Sequence, residues 1–431
     1  MLFKDITIID DQFKVREHYY VGVLDDKIDY VGDKMPEADY GQVYEGNGKL
    51  LMTGFFDTHG HCPMTLLRGY GENMSLNDWL FKKIFPFEDQ LTGEAVYNGV
   101  LLSMAEAMKF GIVSISDMYY FMDDVVKAFL DSGLKGNVSR SISFFDDEDF
   151  MTTFRADEMI DCFNKYHGAG NGRIKVDMSL HSEYTTTEPC CKDVADYAKK
   201  VGTGMQVHVS ETENEVKECI ERHGKTPVRY LADTGAFDVP TTAAHCVWLT
   251  DEDFDILKEK NVTVAVNPIS NLKLASGVCN VPKLFEKGIN VTIGTDGVAS
   301  NNSLNFLEEM KTFALLSKMQ FKDPEAITPE QTLRAATVNG AIAQGRMDCG
   351  LLKEGYKADL IVMDIDQPNM HPVHDLLTNI VYSACSGDIK MTMVDGKVLY
   401  ENGEYKTIDI KKVISDVEKS TQEILAKVQA Q

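Results

Sequence analysis

The sequence lacks the features that mark secreted, membrane-spanning and disulfide-linked proteins. No apolar run in its 431 residues is long enough to cross a bilayer, and the opening MLFKDITIIDDQF has no basic start followed by an apolar core. The nine cysteines are odd in number and form no CxxC pair, which is typical of reduced, mostly buried thiols. These absences predict a cytoplasmic protein.

Basic side chains are scarce as well. Lysine and arginine total 43 against 67 aspartates and glutamates, which gives a formal net charge of −24 at pH 7. Such a field repels nucleic acids and anionic membranes, so neither is expected as a partner. The chain also has no glycine-rich phosphate loop, which argues against a polyphosphate substrate.

The apolar pattern of the chain predicts its fold class. The hydrophobic fraction of 44% and the charged fraction of 26% are those of a globular protein. From residue 51 onward, valine- and isoleucine-rich stretches alternate with amphipathic ones, which is typical of buried parallel strands followed by helices. Eight such strand–helix units predict a (β/α)8 TIM-like barrel. The strand candidates are LLMTGFFDTH, IVSISDMY, NVSRSISFF, RIKVDMSLHSEY, MQVHVSE, TTAAHCVWL, VTVAVNPIS and VTIGTDG.

Short strands and turns dominate both ends of the chain. Residues 1–50 contain DITIID and HYYVGVLDDKIDYVG, and the tail contains ADLIVMDID and IKMTMVDGKVLYENGEY, where Asp395-Gly396 marks a hairpin. We expect residues 1–50 and 351–431 to form one small β-sandwich domain, into which a barrel of residues 51–350 is inserted. A final helix should cover residues 411–431.

Histidines occur at the predicted ends of several barrel strands. His59 and His61 end the first strand, and the alternation of side chains in a strand puts both imidazoles on one side. An isolated His-x-His is more often a pair of polar residues at a loop entrance. Strands 4, 5, 6 and 8 add His181, His208, His245 and Asp296. Strand ends in this fold converge on one mouth, so we expect these side chains to share a small volume.

Three imidazoles and a carboxylate suit a divalent metal ion. His59, His61, His208 and Asp296 offer the nitrogen and oxygen donors that Zn²⁺ or Fe²⁺ accepts, and a bound water would complete the shell. Glu211 follows His208 by three residues, close enough to exchange a proton with that water. It could equally be a glutamate that favours the dipole of the following helix, and both roles are compatible.

Six segments carry a resemblance to a known family. They are GFFDTHGHCPMTLLRGYGENMSLNDWLFKKIFPFE, SLHSEYTTTEP, VHVSETENEV, AHCVWLTDED, NPISNLKLASG and IGTDGVASNNSLNFLEEM. Together they resemble the amidohydrolase superfamily, and within it the 5-methylthioadenosine/S-adenosylhomocysteine deaminases and related ATZ/TRZ-type aminohydrolases. The resemblance extends from the first β segment to the C-terminal sheet.

The resemblance implies one divalent metal ion, usually zinc, and a set of catalytic roles. The residues that match metal ligands are His59, His61, His208 and Asp296. Glu211 would carry a proton from the water to the purine ring nitrogen, His245 would orient the attacking hydroxide, and Asp296 would help to protonate the departing ammonia. Lys175 lies six residues before His181, too deep for the carbamylated lysine of binuclear relatives, so one metal is expected.

The resemblance also implies substrate contacts beyond Glu211 and Asp296. His181 matches a residue that contacts the substrate ring, Glu88 one that binds ribose hydroxyls, and Arg140 one that meets an amino-acid tail. Without the family, Glu88 would be an ordinary acid at a helix end, and Arg140 a structural ion-pair partner.

The leading hypothesis is therefore hydrolytic deamination of adenosine-type nucleosides: 5′-methylthioadenosine, S-adenosylhomocysteine or adenosine. A second hypothesis keeps the machinery but changes the ring to guanine, cytosine, a pterin or a chlorinated triazine. The third is a catalytically dead barrel kept as a scaffold, but such proteins typically lose metal ligands, which are present here. The sequence does not decide between zinc and iron as the bound metal. It also leaves open a homo-oligomer, which barrels of this size often form.

Replacement of Glu211 by glutamine tests the proton shuttle. Glu211→Gln should keep metal and substrate binding but lower turnover by on the order of 10²–10⁴-fold, because the amide cannot accept the water's proton. Steady-state kinetics and metal analysis measure both quantities. Asp296→Ala should impair metal retention and catalysis together. Full activity in Glu211→Gln would show that the shuttle is misassigned.

Overall fold

The computed structural model of the protein describes residues 1–146 and 148–430. In chain order the strands are β1 (Leu2–Ile9), β2 (Val15–Leu24), β3 (Lys27–Gly32), β4 (Val43–Glu45), β5 (Lys49–Thr53), β6 (Phe55–Gly60), β7 (Ile112–Tyr119), β8 (Lys135–Arg140), β9 (Ile174–Val176), β10 (Met178–Leu180), β11 (Met205–Val209), β12 (Thr241–His245), β13 (Thr263–Val266), β14 (Val291–Ile293), β15 (Leu360–Asp364), β16 (Ile389–Val394), β17 (Lys397–Glu401) and β18 (Glu404–Tyr405).

Helices fill the connections. They are α1 (Leu76–Trp79), α2 (Phe85–Glu88), α3 (Gly93–Lys109), α4 (Met122–Ser132), α5 (Phe154–Tyr166), α6 (Glu188–Val201), α7 (Glu213–His223), α8 (Pro227–Asp233), α9 (Asp251–Glu259), α10 (Pro268–Lys273), α11 (Val281–Glu286), α12 (Val298–Asn301), α13 (Phe306–Phe321), α14 (Pro329–Ala336), α15 (Val338–Ala343), α16 (Leu376–Tyr382) and α17 (Ile410–Gln429). A π-helical turn, Leu80–Ile84, joins α1 to α2. Within residues 1–146 and 148–430, no helix is both long and apolar enough to cross a membrane.

Parallel strands form the barrel. One parallel sheet runs β6-β7-β8-β9 and a second runs β10-β11-β12-β13-β14. Strands β9 and β10 are two pieces of one strand interrupted at Asp177, whose N–H donates to the Val138 carbonyl oxygen at 3.0 Å. Between β14 and β6, the N–H of Asp296 donates to the His59 carbonyl oxygen at 2.8 Å, which joins the last strand to the first. The predicted (β/α)8 barrel is confirmed.

Both ends of the chain build the predicted β domain. Strands β1–β5 and β15–β18 form a nine-stranded sheet in the order β18-β17-β16-β15-β5-β1-β2-β3, with β4 beside β1. Its inner face encloses a hydrophobic core that includes Phe3, Ile28 and Met393. This core is separate from that of the barrel. The hairpins at its two ends touch, because a Cβ on Gly396 would lie 2.0 Å from the Asp25 carbonyl oxygen. The sheet therefore folds over its own core, as the layers of a sandwich do.

The stretch LLMTGFFDTH differs from its prediction as one strand. It forms β5 of the terminal sheet and β6 of the barrel, which are separated at Gly54. The N–H of Gly54 donates to the Asp359 carbonyl oxygen at 2.9 Å, and an added Cβ would lie 2.3 Å from Cγ1 of Val113. Only glycine allows this close approach, which lets the chain pass from one sheet to the other without a loop.

Threonine hydroxyls fix the starts of many barrel helices. In each case the Oγ1 accepts a backbone N–H of the first helical turn, which satisfies a donor that has no partner within the helix. The capping residues are Thr92, Thr153, Thr187, Thr212, Thr226, Thr250 and Thr328. Thr212 and Thr250 follow the carboxyl ends of β11 and β12, so their caps fix the helix starts next to the mouth of the barrel. At the end of the chain, α17 packs against α3.

A buried ion cluster joins the barrel to the terminal sheet. Lys135 of β8 contacts the carboxylate of Asp359 and lies 2.7 Å from Oδ1 of Asp395. Both side chains of the Lys135–Asp359 pair are almost wholly buried. Removal of one partner from such a pair leaves an uncompensated charge away from water.

Lys135→Met should therefore lower the free energy of unfolding by about 3–5 kcal/mol, because two carboxylates would lose their cation. Denaturant unfolding measures the loss. The matched control is Lys287→Met, which removes an exposed lysine paired with Asp255 and should leave the unfolding midpoint unchanged. Equal midpoints for the two variants would contradict the role given to the buried cluster.

Candidate active site

The structure brings five of the predicted residues together at the carboxyl ends of the barrel strands. His59 lies in β6 with His61 just after it, His208 and His245 lie in β11 and β12, and Asp296 follows β14. Donor atoms of His59, His61 and Asp296 lie within 4.8 Å of one another, and so do those of His59, His208 and His245. Within the described residues, these overlapping groups are the ones that could hold a metal ion.

Backbone carbonyls set the protonation of two of these histidines. Nδ1 of His61 lies 2.8 Å from the Met118 carbonyl oxygen, and Nδ1 of His208 lies 2.6 Å from the His181 carbonyl oxygen. A carbonyl only accepts, so each Nδ1 carries the hydrogen and each neutral ring has its lone pair on Nε2. The two Nε2 atoms are 3.3 Å apart. Two lone pairs at this distance need a shared positive charge, either a proton on one ring or a metal ion.

The positions of His59 and Asp296 also call for a bound positive charge. Nε2 of His59 is buried without a hydrogen-bond partner and lies 3.7 Å from Oδ1 of Asp296, which is itself 3.3 Å from Nε2 of His61. A buried polar atom without a partner requires an explanation, and a bound cation supplies one. Three imidazole nitrogens and one carboxylate oxygen are a donor set that suits a divalent transition metal.

The pKa shifts describe the same electrostatics. Burial lowers the pKa of both His59 and His208, which keeps them in the neutral form that a metal ligand needs. For His61, burial is outweighed by the contact with Asp296, and its pKa rises to about 9. The histidines likewise outweigh burial at Asp296 and hold the pKa of its carboxyl well below the usual value. The site therefore contains an ionised carboxylate, Asp296, and attracts a positive charge.

Hydroxyl groups hold the Asp296 carboxylate in place. Oγ of Ser270 donates to Oδ2 at 2.5 Å, Oγ of Ser300 reaches the same oxygen at 3.2 Å, and the Gly297 N–H donates to Oδ1 at 2.7 Å. The backbone of Asp296 is left-handed, with φ of 64°. Asparagine and aspartate tolerate this region better than most residues, and here the hydrogen bonds stabilise it.

Glu211 and His245 lie side by side in the same cluster. Oε2 of Glu211 is 3.8 Å from Nε2 of His245, and Oγ of Ser276 donates to Oε1 of Glu211 at 3.3 Å. Burial raises the pKa of Glu211, which improves it as a proton acceptor near neutral pH. Glu211 precedes the N-cap residue Thr212, so it lies just outside the first turn of α7.

Asparagines orient His245, and the sequence did not single them out. Nδ1 of His245 is 2.8 Å from Oδ1 of Asn271 and 3.1 Å from Nδ2 of Asn267. Both asparagines lie in the segment NPISNLKLASG, as does Ser270. That segment contributed to the family resemblance, and this was the available signal for all three residues.

The cluster opens into a cavity with largely apolar and aromatic walls. The helical segment from α1 to α2 contributes Trp79, Leu80, Ile84 and Phe85, and Tyr119 and Tyr184 lie on other elements. Glu88 is also in the wall, where its Oε1 accepts a hydrogen bond from the Tyr119 hydroxyl at 2.6 Å. Loss of hydration raises the pKa of Glu88 to about 7. Such a cavity suits a planar ring with a polar substituent.

His181 lines the cavity as expected, but Arg140 does not. Nδ1 of His181 lies near the hydroxyls of Ser182 and Thr185, at 3.2 and 3.1 Å. The Arg140 guanidinium instead donates to Glu158 at 2.9 and 3.0 Å and to the Ser141 carbonyl oxygen. Because its donors are engaged by neighbouring residues, this geometry favours the structural ion-pair interpretation of Arg140.

Fold and site together define a class of protein. The profile described as Amidohydrolase family matches residues 50–399, so this chain belongs to the amidohydrolase family. A 5-methylthioadenosine/S-adenosylhomocysteine deaminase from Caldanaerobacter subterraneus subsp. tengcongensis is 42% identical over 428 residues, or 99% of this chain and 98% of the relative. A 5′-deoxyadenosine deaminase from Methanosarcina mazei is 42% identical over 410 residues, or 95% of this chain and 94% of the relative. The resemblance noted in the sequence is confirmed.

Solved structures show the same architecture. An adenosine deaminase from Xanthomonas campestris with bound zinc superposes with a TM-score of 0.92 at 28% identity, over 99% of this chain and 98% of that one. The zinc complex of the atrazine chlorohydrolase TrzN from Arthrobacter aurescens reaches 0.90 at 21% identity, over 97% of this chain and 99% of that one. At 21% identity, the similarity to TrzN shows only that the fold is shared.

A divalent cation should stabilise the folded protein strongly. After treatment with a chelator, readdition at a free concentration about 1,000 times the dissociation constant should add about 4 kcal/mol to the free energy of unfolding. Calorimetry with and without the cation measures the gain. His208→Ala should lose most of it, whereas His18→Ala, which removes an exposed histidine paired with Asp5, should respond like the parent. An undiminished gain in His208→Ala would place the cation elsewhere.

Proposed function

We propose that this protein is a zinc-dependent hydrolytic deaminase of adenosine-type nucleosides, which releases ammonia from 5′-methylthioadenosine, S-adenosylhomocysteine or adenosine. The observation that carries the proposal is the convergence of unshared histidine lone pairs and a carboxylate beside Glu211, at the base of an aromatic cavity. Relatives about 40% identical over nearly the whole chain bear the names of such deaminases.

In this proposal His59, His61, His208 and Asp296 hold one zinc ion. The donor set fits zinc, and the similar adenosine deaminase structure contains it. When bound in such a site, zinc supplies Lewis acidity that lowers the pKa of a water to about 7. Nδ1–H of His61 donates to the Met118 carbonyl oxygen, Nδ1–H of His208 donates to that of His181, and Ser270 donates to the Asp296 carboxylate. These bonds orient the metal-binding atoms toward a single centre.

Glu211 moves the proton. Its Oε1 is engaged by Ser276, which leaves Oε2 free to take a proton from the attacking water and to deliver it to the ring nitrogen next to the amino-bearing carbon. The raised pKa of Glu211 matches both steps. His245, fixed through Nδ1 by Asn271, presents Nε2 to the water. Asp296 then relays the second proton of the attacking water to the amino group, so that the C–N bond breaks and ammonia departs.

Substrate recognition uses the cavity wall. The carboxylate of Glu88 accepts hydrogen bonds from the ribose hydroxyls, and His181 contacts the purine ring. Trp79 and Phe85 supply flat apolar surface against which a purine can pack. Arg140 pairs with Glu158 in this structure, and its match to a residue that meets an amino-acid tail stays a prediction.

A substrate panel tests the proposal. Zinc-loaded protein should release ammonia from the three nucleosides, with a matching change in ring absorbance, and Glu211→Gln protein run beside it should not. Guanine, cytosine, a pterin and a chlorinated triazine complete the panel. Turnover restricted to free bases or triazines would overturn the nucleoside assignment.

The pKa of Glu88 predicts a pH dependence of substrate binding. Loss of hydration raises this pKa to about 7, although the Tyr119 hydroxyl acts in the opposite direction. The carboxylate is the acceptor of the ribose hydroxyls, so its protonation should raise KM by about tenfold as the pH falls from about 8 to about 6. Glu88→Gln should show a high KM with little change over that range, and Glu94→Gln, at an exposed position, is the control. Parallel KM profiles for the parent and Glu88→Gln would contradict the assignment.

Three further expectations stay predictions. They are the cytoplasmic location, self-association into a homo-oligomer, and the division of the chain at residues 50 and 350. Size-exclusion chromatography with light scattering measures the second directly.

A further inference from the structure

The loop that carries Glu211 is held in an unusual conformation. Ser210, between β11 and Glu211, has a left-handed backbone with φ of 51°, although it is not glycine. This region is sparsely populated for side chains with a Cβ and persists only where surrounding contacts enforce it. The contacts that enforce it therefore also determine where the Glu211 side chain points.

The carboxylate of Glu215 provides those contacts. This buried side chain in the first turn of α7 accepts the Ser210 N–H on Oε1 at 2.9 Å. Its Oε2 accepts the N–H of Glu211 at 2.7 Å and that of Thr212 at 3.4 Å. A capping box accounts only for the longest of these bonds, the one to the N-cap residue Thr212. The two shorter bonds reach back to the residues that position Glu211.

The same loop is tied to the strand that carries His245. The Ser210 carbonyl oxygen accepts the N–H groups of Val247 at 3.1 Å and Trp248 at 3.0 Å. His245 itself has a left-handed φ of 72°. The N–H side of Ser210 is thus held by Glu215, and its carbonyl side by the residues that follow His245. The backbone at Ser210 therefore determines the distance between Glu211 and His245.

We propose that Glu215 is a positioning residue for the deamination reaction, which holds the proton-shuttling Glu211 in register with His245. This inference rests on the proposed function for its kinetic readout. Both oxygens of Glu215 accept backbone N–H groups, a pattern that suits a carboxyl group and not an amide. An amide of the same shape would turn an NH₂ group toward at least one of these donors.

Kinetics of Glu215→Gln test the proposal. Misplacement of Glu211 should lower kcat by on the order of 10²-fold. KM should stay within about twofold, because Glu215 is not in the cavity wall and contacts no substrate. The control is Glu221→Gln, which removes the same charge from an exposed position on the same helix and should keep the parent kcat. Parent-like kcat in Glu215→Gln would overturn the proposal.

A double-mutant cycle separates positioning from general damage. If Glu215 acts through Glu211, then Glu211→Gln and the double variant Glu211→Gln/Glu215→Gln should have the same residual activity within about twofold. A further loss in the double variant, as large as that in Glu215→Gln alone, would show that Glu215 acts independently of Glu211 and would sink the proposal.

Hydrogen exchange gives a readout that needs no substrate. In Glu215→Gln, the amides of Ser210 and Glu211 should exchange faster than in the parent, with unchanged exchange in β11. If Glu215→Gln does not fold, Glu215→Asp serves, since its shorter carboxylate should show the same loss of kcat and faster exchange. Unchanged exchange in the folded variant would contradict the role of Glu215, whereas a parent that releases no ammonia from any nucleoside would contradict the proposed function only.

Discussion

The carbonyl oxygens of Met118 and His181 are the constraint on which the centre depends. Each takes the Nδ1 hydrogen of a histidine, His61 or His208, and so directs the lone pair of Nε2 inward. These carbonyls lie at the carboxyl ends of two barrel strands, Met118 in β7 and His181 just after β10, so the tautomers follow from the backbone. A side-chain partner could rotate or ionise, whereas a carbonyl at a strand end does neither. The chemistry of the mouth is therefore set by the same strand geometry that closes the barrel.

Burial explains most of the remaining electrostatics of the site. Loss of water raises the pKa of the carboxyl groups of Glu88 and Glu211 and lowers that of the imidazoles of His59 and His208. Both directions favour the neutral form, as expected for a group in a medium of low dielectric constant. Asp296 and His61 are exceptions, because the attraction between the carboxylate and the imidazoles outweighs the cost of burial. Asp296 is thus kept as an anion, whereas burial favours the protonated form of Glu88 and Glu211.

Local pattern in the sequence predicted the barrel and the residues gathered at its mouth. Valine- and isoleucine-rich strands are readable from composition, and the convergence of strand ends is a property of the fold. What the sequence did not predict depends on contacts between distant segments. Gly54 separates β5 from β6 within a mostly apolar stretch. The reason for a glycine there, the close approach of Val113, is visible only in the structure. Asn267, Asn271 and Ser270 act through His245 and Asp296, and no spacing rule marks such partners. Arg140 was assigned by resemblance, and the acid that engages it, Glu158, lies on α5 rather than on a strand.

The nine-stranded sheet has a consequence for how the chain acquires its structure. Strand β5 pairs with β1 on one side and with β15 on the other, where Leu50 faces Met363. During synthesis, one edge of β5 therefore remains unpaired until the whole barrel and β15 have left the ribosome. Its backbone groups are exposed to water during this time. Long-range pairing of this kind is slow to form, and an exposed strand edge can recruit other chains. The nascent protein is thus most vulnerable to aggregation after the barrel has been synthesised and before β15 can pair with β5.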